Sequence, residues 1–439
     1  IDLAQEIGMG KRTNTILQSA FFALANVIPQ AEALQYMKDA ATKSYLKKGQ
    51  EVVDMNHRAI EAGATAFVQV EVPASWAEAT DEAEASELAG RPELVKQVVE
   101  IMEPVGRMDG DRLPVSAFVA HADGQFEQGA AAYEKRGVAV SVPEWDAATC
   151  IQCNQCAFVC PHATIRPFAL TEGEAAAAPS AIKLVPMKGK GNDGFQYTLA
   201  ISPLDCMGCG VCVNVCPTDS LAMVAQEDEL AQQDVFAYCV TQVSDKPELE
   251  DVSVKGSQFK QPLLEFSGAC AGTAYAKLDT QLFGDRMYVA NATGCSSIWG
   301  GPAATSPYAI NKDGHGPAWS NSLFEDNAEH GLGMLLGHEA VRDKLVADSE
   351  KLLASGADEA AKAAARAWID SMGAAEESKE ASQAYIAELE RLAASDDAAV
   401  RDIAAAVLEN REYLTKKSVW IFGGDGWAYD IGYGGLDHV

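Results

Sequence analysis

The sequence predicts a multidomain α/β protein that carries a small α+β insert near its middle. Three observations lead to this fold class. The 439 residues suffice for roughly two to four domains of ordinary size. Two copies of one short cysteine run occupy positions 150–217, between stretches with helical apolar spacing. Near the end, an apolar run leads directly into a glycine-rich turn, which is typical of a parallel strand that ends at a ligand site.

The composition is that of a folded, acidic protein. Hydrophobic residues make up 48% of the chain and charged residues 22%, unlike the composition of disordered chains. The net charge of -29 repels phosphate backbones and anionic lipid, no apolar run is long enough to span a membrane, and the first residues lack the layout of a signal peptide. We therefore expect a cytoplasmic protein with neither nucleic-acid nor membrane partners. Because the chain starts inside a stretch with the pattern of regular structure and ends directly after a glycine-rich turn, we interpret it as a piece of a longer polypeptide or as one subunit of a larger assembly.

The N-terminal part predicts helices. Apolar residues recur at helical spacing over residues 13–27, 31–45 and 49–61. Residues 67–72 alternate between apolar and polar, which predicts a strand that Pro73 ends. The acidic, alanine-rich stretch 76–88 predicts a linker.

The sequences of two further regions also predict their secondary structure. Residues 91–142 predict a small mixed domain with apolar runs at 113–119 and 137–142. Residues 343–410 consist almost entirely of Ala, Glu, Lys, Leu, Asp and Ser, which predicts two or three exposed helices.

Eight of the eleven cysteines form two copies of the run C-x2-C-x2-C-x3-C-P. The copies consist of Cys150, Cys153, Cys156 and Cys160 before Pro161, and of Cys206, Cys209, Cys212 and Cys216 before Pro217. In bacterial ferredoxins this run holds two 4Fe–4S cubes, and the fourth cysteine of each copy binds the other cube. We therefore predict a ferredoxin-like two-cluster insert. One cluster is expected on Cys150, Cys153, Cys156 and Cys216, and the other on Cys206, Cys209, Cys212 and Cys160.

The spacing also predicts the surroundings of the sulfur atoms. Loops this short can point backbone N–H groups at sulfur, and Gly208 and Gly210 allow the second loop to close tightly. A pair of zinc knuckles is the alternative interpretation. Zinc sites use four ligands in two pairs, however, so the third cysteine and the Cys-Pro of each run would have no role.

The C-terminal motif combines a strand with a turn that can bind a diphosphate. The apolar run Ser418–Phe422 predicts a buried parallel strand and continues into Gly423-Gly424-Asp425-Gly426. Bare glycine backbone admits a diphosphate, and Asp425 can ligate the hard cation that neutralises it. Tight turns also produce this motif, so its neighbours decide the interpretation.

Several stretches resemble the pyruvate:ferredoxin (flavodoxin) oxidoreductase family. The stretches are FSGAC at 266–270, TQLFGDR at 280–286, ANATGCSSIWGG at 290–301 and WAYDIGYGGLDH at 427–438. YEKR at 133–136 resembles the short domain that precedes the clusters, and the helices around 11–14 and 53–56 resemble the end of the family's third domain. The order of a two-cluster insert before a thiamine-diphosphate domain also agrees.

The resemblance implies four segments, taken from the interior of a longer family polypeptide. They are the C-terminal part of a Rossmann-like (gamma-type) domain at 1–78, a small α+β EKR-type domain at 79–142, the two-cluster ferredoxin-like domain at 143–225, and a partial thiamine-diphosphate-binding α/β domain at 226–439 with a helical insertion at 340–412. The remaining domains of the full-length enzyme, in a homodimer, are implied as partners.

The resemblance also implies the chemistry, which is thiamine-dependent oxidative decarboxylation of pyruvate to acetyl-CoA and CO2. One electron at a time would pass through 4Fe–4S clusters to ferredoxin or flavodoxin. Residues that match the family's thiamine diphosphate stretch are Gly424, Asp425, Gly426 and Trp427, with Asp425 on Mg²⁺. Cys270 and Cys295 match ligands of a third, proximal cluster, and Cys295 would also lie against the thiamine. Asn14 and Asn56 match contacts to coenzyme A.

The chain departs from the family at one place. Where the family reads GACAGCGET, residues 268–275 read GACAGTAY and lack one cysteine and the glutamate. A third cluster would therefore need two ligands besides Cys270 and Cys295. Two alternatives stay open: an enzyme for another 2-oxo acid, and a polyferredoxin-like electron-transfer module without thiamine catalysis.

Overall fold

The computed structural model describes residues 1–78, 88–265, 273–301, 306–430 and 432–439. The chain divides into two compact units, Ile1–Glu87 and Leu88–Val439. The helices of the first unit are α1 (Asp2–Ile7), α2 (Asn14–Ala25), α3 (Gln30–Tyr45) and α4 (Gln50–Gly63). The three helices predicted here are thus confirmed. Helix α4 turns its apolar face inward, where Ala59 and Ile60 are fully buried.

The strand predicted at 67–72 is wrong, because this stretch has no regular secondary structure. The side chains of Val68 and Val70 are 83% and 74% exposed. A strand is stabilised by hydrogen bonds to a neighbouring strand, and the described part of this unit contains only helices. The alternation of apolar and polar residues at 67–72 was therefore not sufficient to form a strand.

The second unit begins with a helical segment. Helix α5 (Pro92–Gln97) continues through a π-helical turn (Val98–Met102) into α6 (Glu103–Gly106), and 3-10 turns follow at Gly110–Arg112, Val115–His121 and Ala130–Tyr133. The small α+β domain predicted at 79–142 is therefore helical over the described residues 88–140, and its first strand begins only at Ser141. The apolar run at 113–119 forms a 3-10 helix after Pro114, and no strand in the described part of the chain pairs with it.

The insert predicted at 143–225 forms two small antiparallel sheets. Its elements are β1 (Ser141–Trp145), α7 (Gln155–Val159), β2 (Ile165–Leu170), α8 (Glu172–Ala177), β3 (Val185–Pro186), β4 (Gln196–Ile201), α9 (Val211–Asn214) and β5 (Leu221–Ala225). Strand β1 pairs with β5, and β2, β4 and β3 form the second sheet in that order. The pairing of Ser141 with Ala225 and of Trp145 with Leu221 joins the two ends of the insert.

Two short helices, α10 (Gln232–Gln242) and α11 (Val254–Ser257), follow the insert. Helix α10 buries Phe236 and Cys239 against β2 and β4. Cys239, which belongs to neither cysteine run, is fully buried and packs as a free thiol. Burial raises the pKa of this thiol to about 12.

The C-terminal segment is built on a three-stranded parallel sheet. Its elements are α12 (Thr273–Phe283), β6 (Met287–Ala292), α13 (Cys295–Gly300), β7 (Ala318–Ser322), α14 (Asn327–Ala354), α15 (Glu359–Ser371), α16 (Ala375–Leu392), α17 (Ala398–Leu408), β8 (Ser418–Phe422) and α18 (Asp425–Tyr429). The strand order is β7-β6-β8. The predicted parallel strand at Ser418–Phe422 is confirmed, but it is an edge strand and only half-buried.

The helical insertion predicted at 340–412 differs in extent and in packing. It comprises the four helices α14 to α17, and α14 already begins at Asn327. The four helices pack against one another, and Trp368, Tyr385 and Leu389 belong to the hydrophobic core between them. Alanines at the contact positions let the helices approach closely, so an alanine-rich composition produced a packed bundle.

None of the helices in the described ranges has the length and apolarity needed to cross a lipid bilayer.

Candidate functional site

The eight cysteines of the doubled run line two small cavities in the insert. The first cavity is lined by Cys150, Cys153, Cys156 and Cys216, and the second by Cys160, Cys206, Cys209 and Cys212. Each cavity thus takes three cysteines from one run and the fourth from the other. The structure brings together the same two groups of four that the sequence predicts.

The spacing of these thiols suits a cluster better than a single ion. Among the described residues, no three His, Cys, Asp or Glu side chains converge as ligands of one metal ion do. A cube with iron at four corners holds its thiolates further apart than a single ion does. Four thiols spread over the walls of each cavity are therefore compatible with a 4Fe–4S cube.

Both cysteine loops adopt the same backbone conformation. The second and fourth residues after the first cysteine have positive φ in each run, namely Gln152 (61°), Asn154 (60°), Gly208 (67°) and Gly210 (73°). The N–H of Gln152 donates to Cys150 Sγ at 3.3 Å, and the N–H of Gly208 donates to Cys206 Sγ at 3.4 Å. The prediction that backbone amides point at sulfur is confirmed at these positions.

The first loop reaches this conformation without glycine. Gln152 and Asn154 are buried, and their side chains are fixed by hydrogen bonds. Gln152 Nε2 donates to Pro186 O at 2.9 Å, and Asn154 Nδ2 donates to Lys255 O at 2.9 Å. The Tyr197 hydroxyl donates to Asn154 Oδ1 at 2.8 Å. Sequence reasoning missed these residues, although their alignment with the two glycines of the second run was a usable signal.

Replacing Asn154 by alanine should lower the free energy of unfolding by about 2–3 kcal/mol, because alanine disfavours positive φ and leaves buried partners unpaired. Asn154→Gly retains the backbone conformation and loses only the side-chain hydrogen bonds, so a smaller loss is expected. Anaerobic chemical denaturation of the two variants measures the difference. Equal losses would contradict the importance of the backbone conformation.

Burial disfavours free thiolates in both cavities. It raises the pKa of Cys206 to about 11 and that of Cys212 to about 12, and it also raises the pKa of Cys156. At Cys216 burial acts in the same direction, but hydrogen bonds from Thr218 and Ser220 outweigh it and lower the pKa. Since iron binds the thiolate, these apolar sites require the positive charge of a metal for their ligand form.

One further polar group in the first cavity lacks a partner. Trp145 lines this cavity, and its buried Nε1–H has no hydrogen-bond acceptor among the described residues. Buried donors rarely remain unpaired. Four sulfur ligands and an unused donor fit a bound cluster that carries negative charge on its sulfur atoms.

A second candidate site lies where the strands of the C-terminal sheet end. Cys295 begins α13 directly after β6, and Gly424 lies between β8 and α18. Because these strands are parallel neighbours, their carboxyl ends meet. A Cβ added to Gly424 would lie 4.0 Å from Cys295 Sγ. The predicted neighbours Cys295 and Gly424-Asp425-Gly426 are thus adjacent, whereas Cys270 lies outside the described residues.

The Trp427 indole packs against the glycine-rich turn. It lies against Gly423 and Gly434, and a Cβ at either position would collide with the ring. Its buried Nε1 has no acceptor among the described residues. Asp425 is exposed at the first position of α18. This arrangement leaves the Asp425 carboxylate accessible at the end of the sheet.

Asn14 and Asn56 lie in the first unit. Asn14 is exposed at the start of α2. Asn56 is buried in α4, where its Nδ2 donates to Val52 O at 2.8 Å. Only Asn14 therefore presents its side chain to an incoming ligand.

A buried ionic network joins the segment before the clusters to the insert. Lys135 Nζ lies 2.5 Å from Asp205 Oδ2 and 2.8 Å from Glu265 Oε1. Arg166 lies 3.3 Å from the other oxygen of Glu265. Asp205 is fully buried and directly precedes Cys206. The sequence singled out Lys135 as part of YEKR, but it offered no signal for these distant partners.

Three family models match parts of the chain. They are pyruvate ferredoxin/flavodoxin oxidoreductase at residues 1–66, a domain of unknown function (EKR) at 80–139, and a 4Fe-4S dicluster domain at 149–220. The last match covers both cysteine runs and supports 4Fe–4S clusters in the insert.

Relatives align with the whole chain. The pyruvate:ferredoxin oxidoreductase of Moorella thermoacetica is 48% identical over 447 residues, and the pyruvate-flavodoxin oxidoreductase of Klebsiella pneumoniae is 48% identical over 444. The mitochondrial pyruvate dehydrogenase [NADP(+)] of Euglena gracilis is 41% identical over 448. All of this chain is covered in each alignment, but it spans only 38%, 37% and 24% of these relatives. The chain belongs to the pyruvate ferredoxin/flavodoxin oxidoreductase family, of whose members it represents one segment.

Proposed function

We propose that the chain is the electron-transfer part, and a portion of the thiamine site, of an enzyme that oxidatively decarboxylates pyruvate to acetyl-CoA and CO2. The observation that carries this proposal is the pair of four-cysteine cavities in a chain whose relatives are named for pyruvate and for ferredoxin or flavodoxin. We place it in a cytoplasmic homodimer of longer chains, where reducing conditions protect thiolates.

The ligands of the two clusters follow from the cavities. Cys150, Cys153, Cys156 and Cys216 would hold one 4Fe–4S cluster, and Cys206, Cys209, Cys212 and Cys160 the other. Backbone N–H groups of Gln152 and Gly208 donate toward their sulfur atoms and stabilise negative charge there. Apolar side chains pack around cysteines of both cavities, and clusters held in this way are suited to electron transfer.

The end of the parallel sheet would receive thiamine diphosphate and Mg²⁺. Gly424 and Gly426 leave room for a diphosphate, and the exposed Asp425 carboxylate supplies a hard oxygen ligand. Trp427 packs against the turn, and Cys295 lies next to Gly424. Cys295 and Cys270 would be two of the ligands of a third cluster. When bound, thiamine diphosphate supplies the carbanion chemistry of decarboxylation, and the clusters supply one-electron acceptors. Asn14 is the better candidate for a contact to the co-substrate coenzyme A.

Asp425→Ala should abolish Mg²⁺-dependent binding of thiamine diphosphate while leaving iron content unchanged. Removal of a hard-cation ligand lowers affinity for the metal and its diphosphate. Isothermal titration of the anaerobic protein with thiamine diphosphate and Mg²⁺ measures this. Glu412→Ala, which removes an exposed carboxylate in the turn before β8, is the matched control. Unchanged binding in Asp425→Ala contradicts the proposed site.

Substrate trials separate the remaining alternatives. The proposal expects the full-length enzyme that contains this segment to reduce ferredoxin or flavodoxin with pyruvate and coenzyme A, and to do so more slowly with 2-oxoglutarate or 2-oxobutyrate. A preference for another 2-oxo acid would favour a related oxidoreductase. Clusters that can be reduced chemically in a protein that never binds thiamine diphosphate would favour a polyferredoxin-like module.

A further inference from the structure

Lys277 on α12 is a buried cation that the sequence analysis left without a role. Its side chain is 1% exposed. Its Nζ donates to Ala157 O, to Phe158 O at 3.2 Å and to Gln258 Oε1 at 3.0 Å. All three acceptors are neutral oxygen atoms.

No carboxylate within the described residues forms a salt bridge with Lys277. The adjacent cation Arg166 adds repulsion, and it is itself paired with Glu265. A buried ammonium that lacks an anionic partner is strongly disfavoured compared with one that has a partner. A negative charge near Lys277 would stabilise its ammonium group, and the carboxylates of the described residues do not supply one.

The two carbonyls that Lys277 binds, those of Ala157 and Phe158, lie between Cys156 and Cys160, which would carry negative charge as cluster ligands. Cys156 lines the first cavity and Cys160 lines the second. Both belong to the segment of α7 and its C-terminal cap, and the last carbonyls of this helix accept hydrogen bonds from Lys277. The ammonium thus lies beside the short helix that links the two cavities.

We propose that Lys277 is a positioning residue for electron transfer, whose buried charge compensates both clusters and raises their reduction potentials. The inference rests on the proposed two-cluster function. Reduction adds one negative charge to a cluster, and a fixed positive charge in an apolar environment favours that state. The C-terminal segment that carries α12 would in this way assist reduction of the clusters in the insert.

The test measures both midpoint potentials by EPR-monitored redox titration of the cluster-loaded protein. Lys277→Gln keeps a donor for the α7 carbonyls but removes the charge, so both potentials should become more negative. Lys277→Arg keeps the charge and should stay near the wild-type potentials. Lys246→Gln is the matched control, since Lys246 is also buried but is paired with Glu174.

Unchanged potentials in a Lys277→Gln variant that retains both clusters would overturn the inference and leave Lys277 as a helix cap. A shift of equal size in Lys246→Gln would overturn it as well. If Lys277→Gln fails to hold iron, Lys277→Arg decides. Retention of both clusters at wild-type potentials supports the need for charge, whereas loss of iron in both variants shows a packing role. Failure of the proposed function appears separately, as the absence of about eight irons in the unaltered protein.

Discussion

Cys216→Ser is expected to remove the cluster from the first cavity, although Cys216 belongs to the second cysteine run. Cys216 shares that cavity with Cys150, Cys153 and Cys156. Loss of one of four thiolates destabilises a 4Fe–4S cube, so iron and sulfide should each fall from about eight to about four per chain. Anaerobic iron and acid-labile sulfide analysis, with EPR of the reduced protein, measures the loss.

Double variants show which cysteines share a cluster. Because Cys216 and Cys150 line the same cavity, Cys216→Ser/Cys150→Ser should lose no more iron than Cys216→Ser alone. Cys216→Ser/Cys206→Ser should lose both clusters, since Cys206 lines the other cavity. Cys239→Ser, at a buried thiol outside both cavities, is the control and should keep all of the iron. The reverse pattern in the double variants would contradict crossed ligation.

Lys135→Met should lower the free energy of unfolding by about 3–5 kcal/mol, because it leaves the buried Asp205 carboxylate without its cation while Glu265 keeps Arg166. Lys135 contacts Asp205, which is fully buried, and Glu265, which is nearly so. Anaerobic chemical denaturation of the cluster-loaded protein measures the change. Loss of the Lys135–Asp205 ion pair should also make the segment before Cys206 more mobile. Iron should therefore be released faster from the second cavity than from the first.

The control for Lys135 is an ion pair whose lysine is exposed and whose aspartate has a second lysine partner, Lys351. Lys344 lies 3.1 Å from Asp348 across one turn of α14, and its side chain is 58% exposed. Lys344→Met should change stability by less than about 1 kcal/mol, because solvent screens such pairs. If Lys135→Met costs no more than Lys344→Met, the buried network does not stabilise this part of the fold.

The groups of cysteines and the parallel strand were predictable because local sequence determines them. A doubled C-x2-C-x2-C-x3-C-P run constrains which thiols can meet, and an apolar run ending in glycines marks the end of a strand. The positive φ values of Gln152 and Asn154 were not predictable from propensity, since hydrogen bonds to distant residues such as Tyr197 and Lys255 stabilise them.

The same distinction explains two of the errors. The stretch 67–72 has the alternation of a strand, but a strand also needs a partner that alternation does not reveal. The alanine-rich helices of 343–410 looked solvent-exposed by composition, yet Trp368 and Tyr385 stack at their centre with ring centroids 5.8 Å apart. Lys277 was missed for a related reason, because its two carbonyl acceptors, Ala157 and Phe158, lie about 120 residues earlier in the chain.

The central claim is that the insert holds two 4Fe–4S clusters, each bound by three cysteines of one run and one of the other. The most direct test is anaerobic iron and acid-labile sulfide analysis of the unaltered protein with low-temperature EPR after reduction. We expect about eight irons, about eight sulfides and the signals of two interacting reduced clusters. About twelve irons would add a third cluster that includes Cys295. Zinc without sulfide would contradict the account.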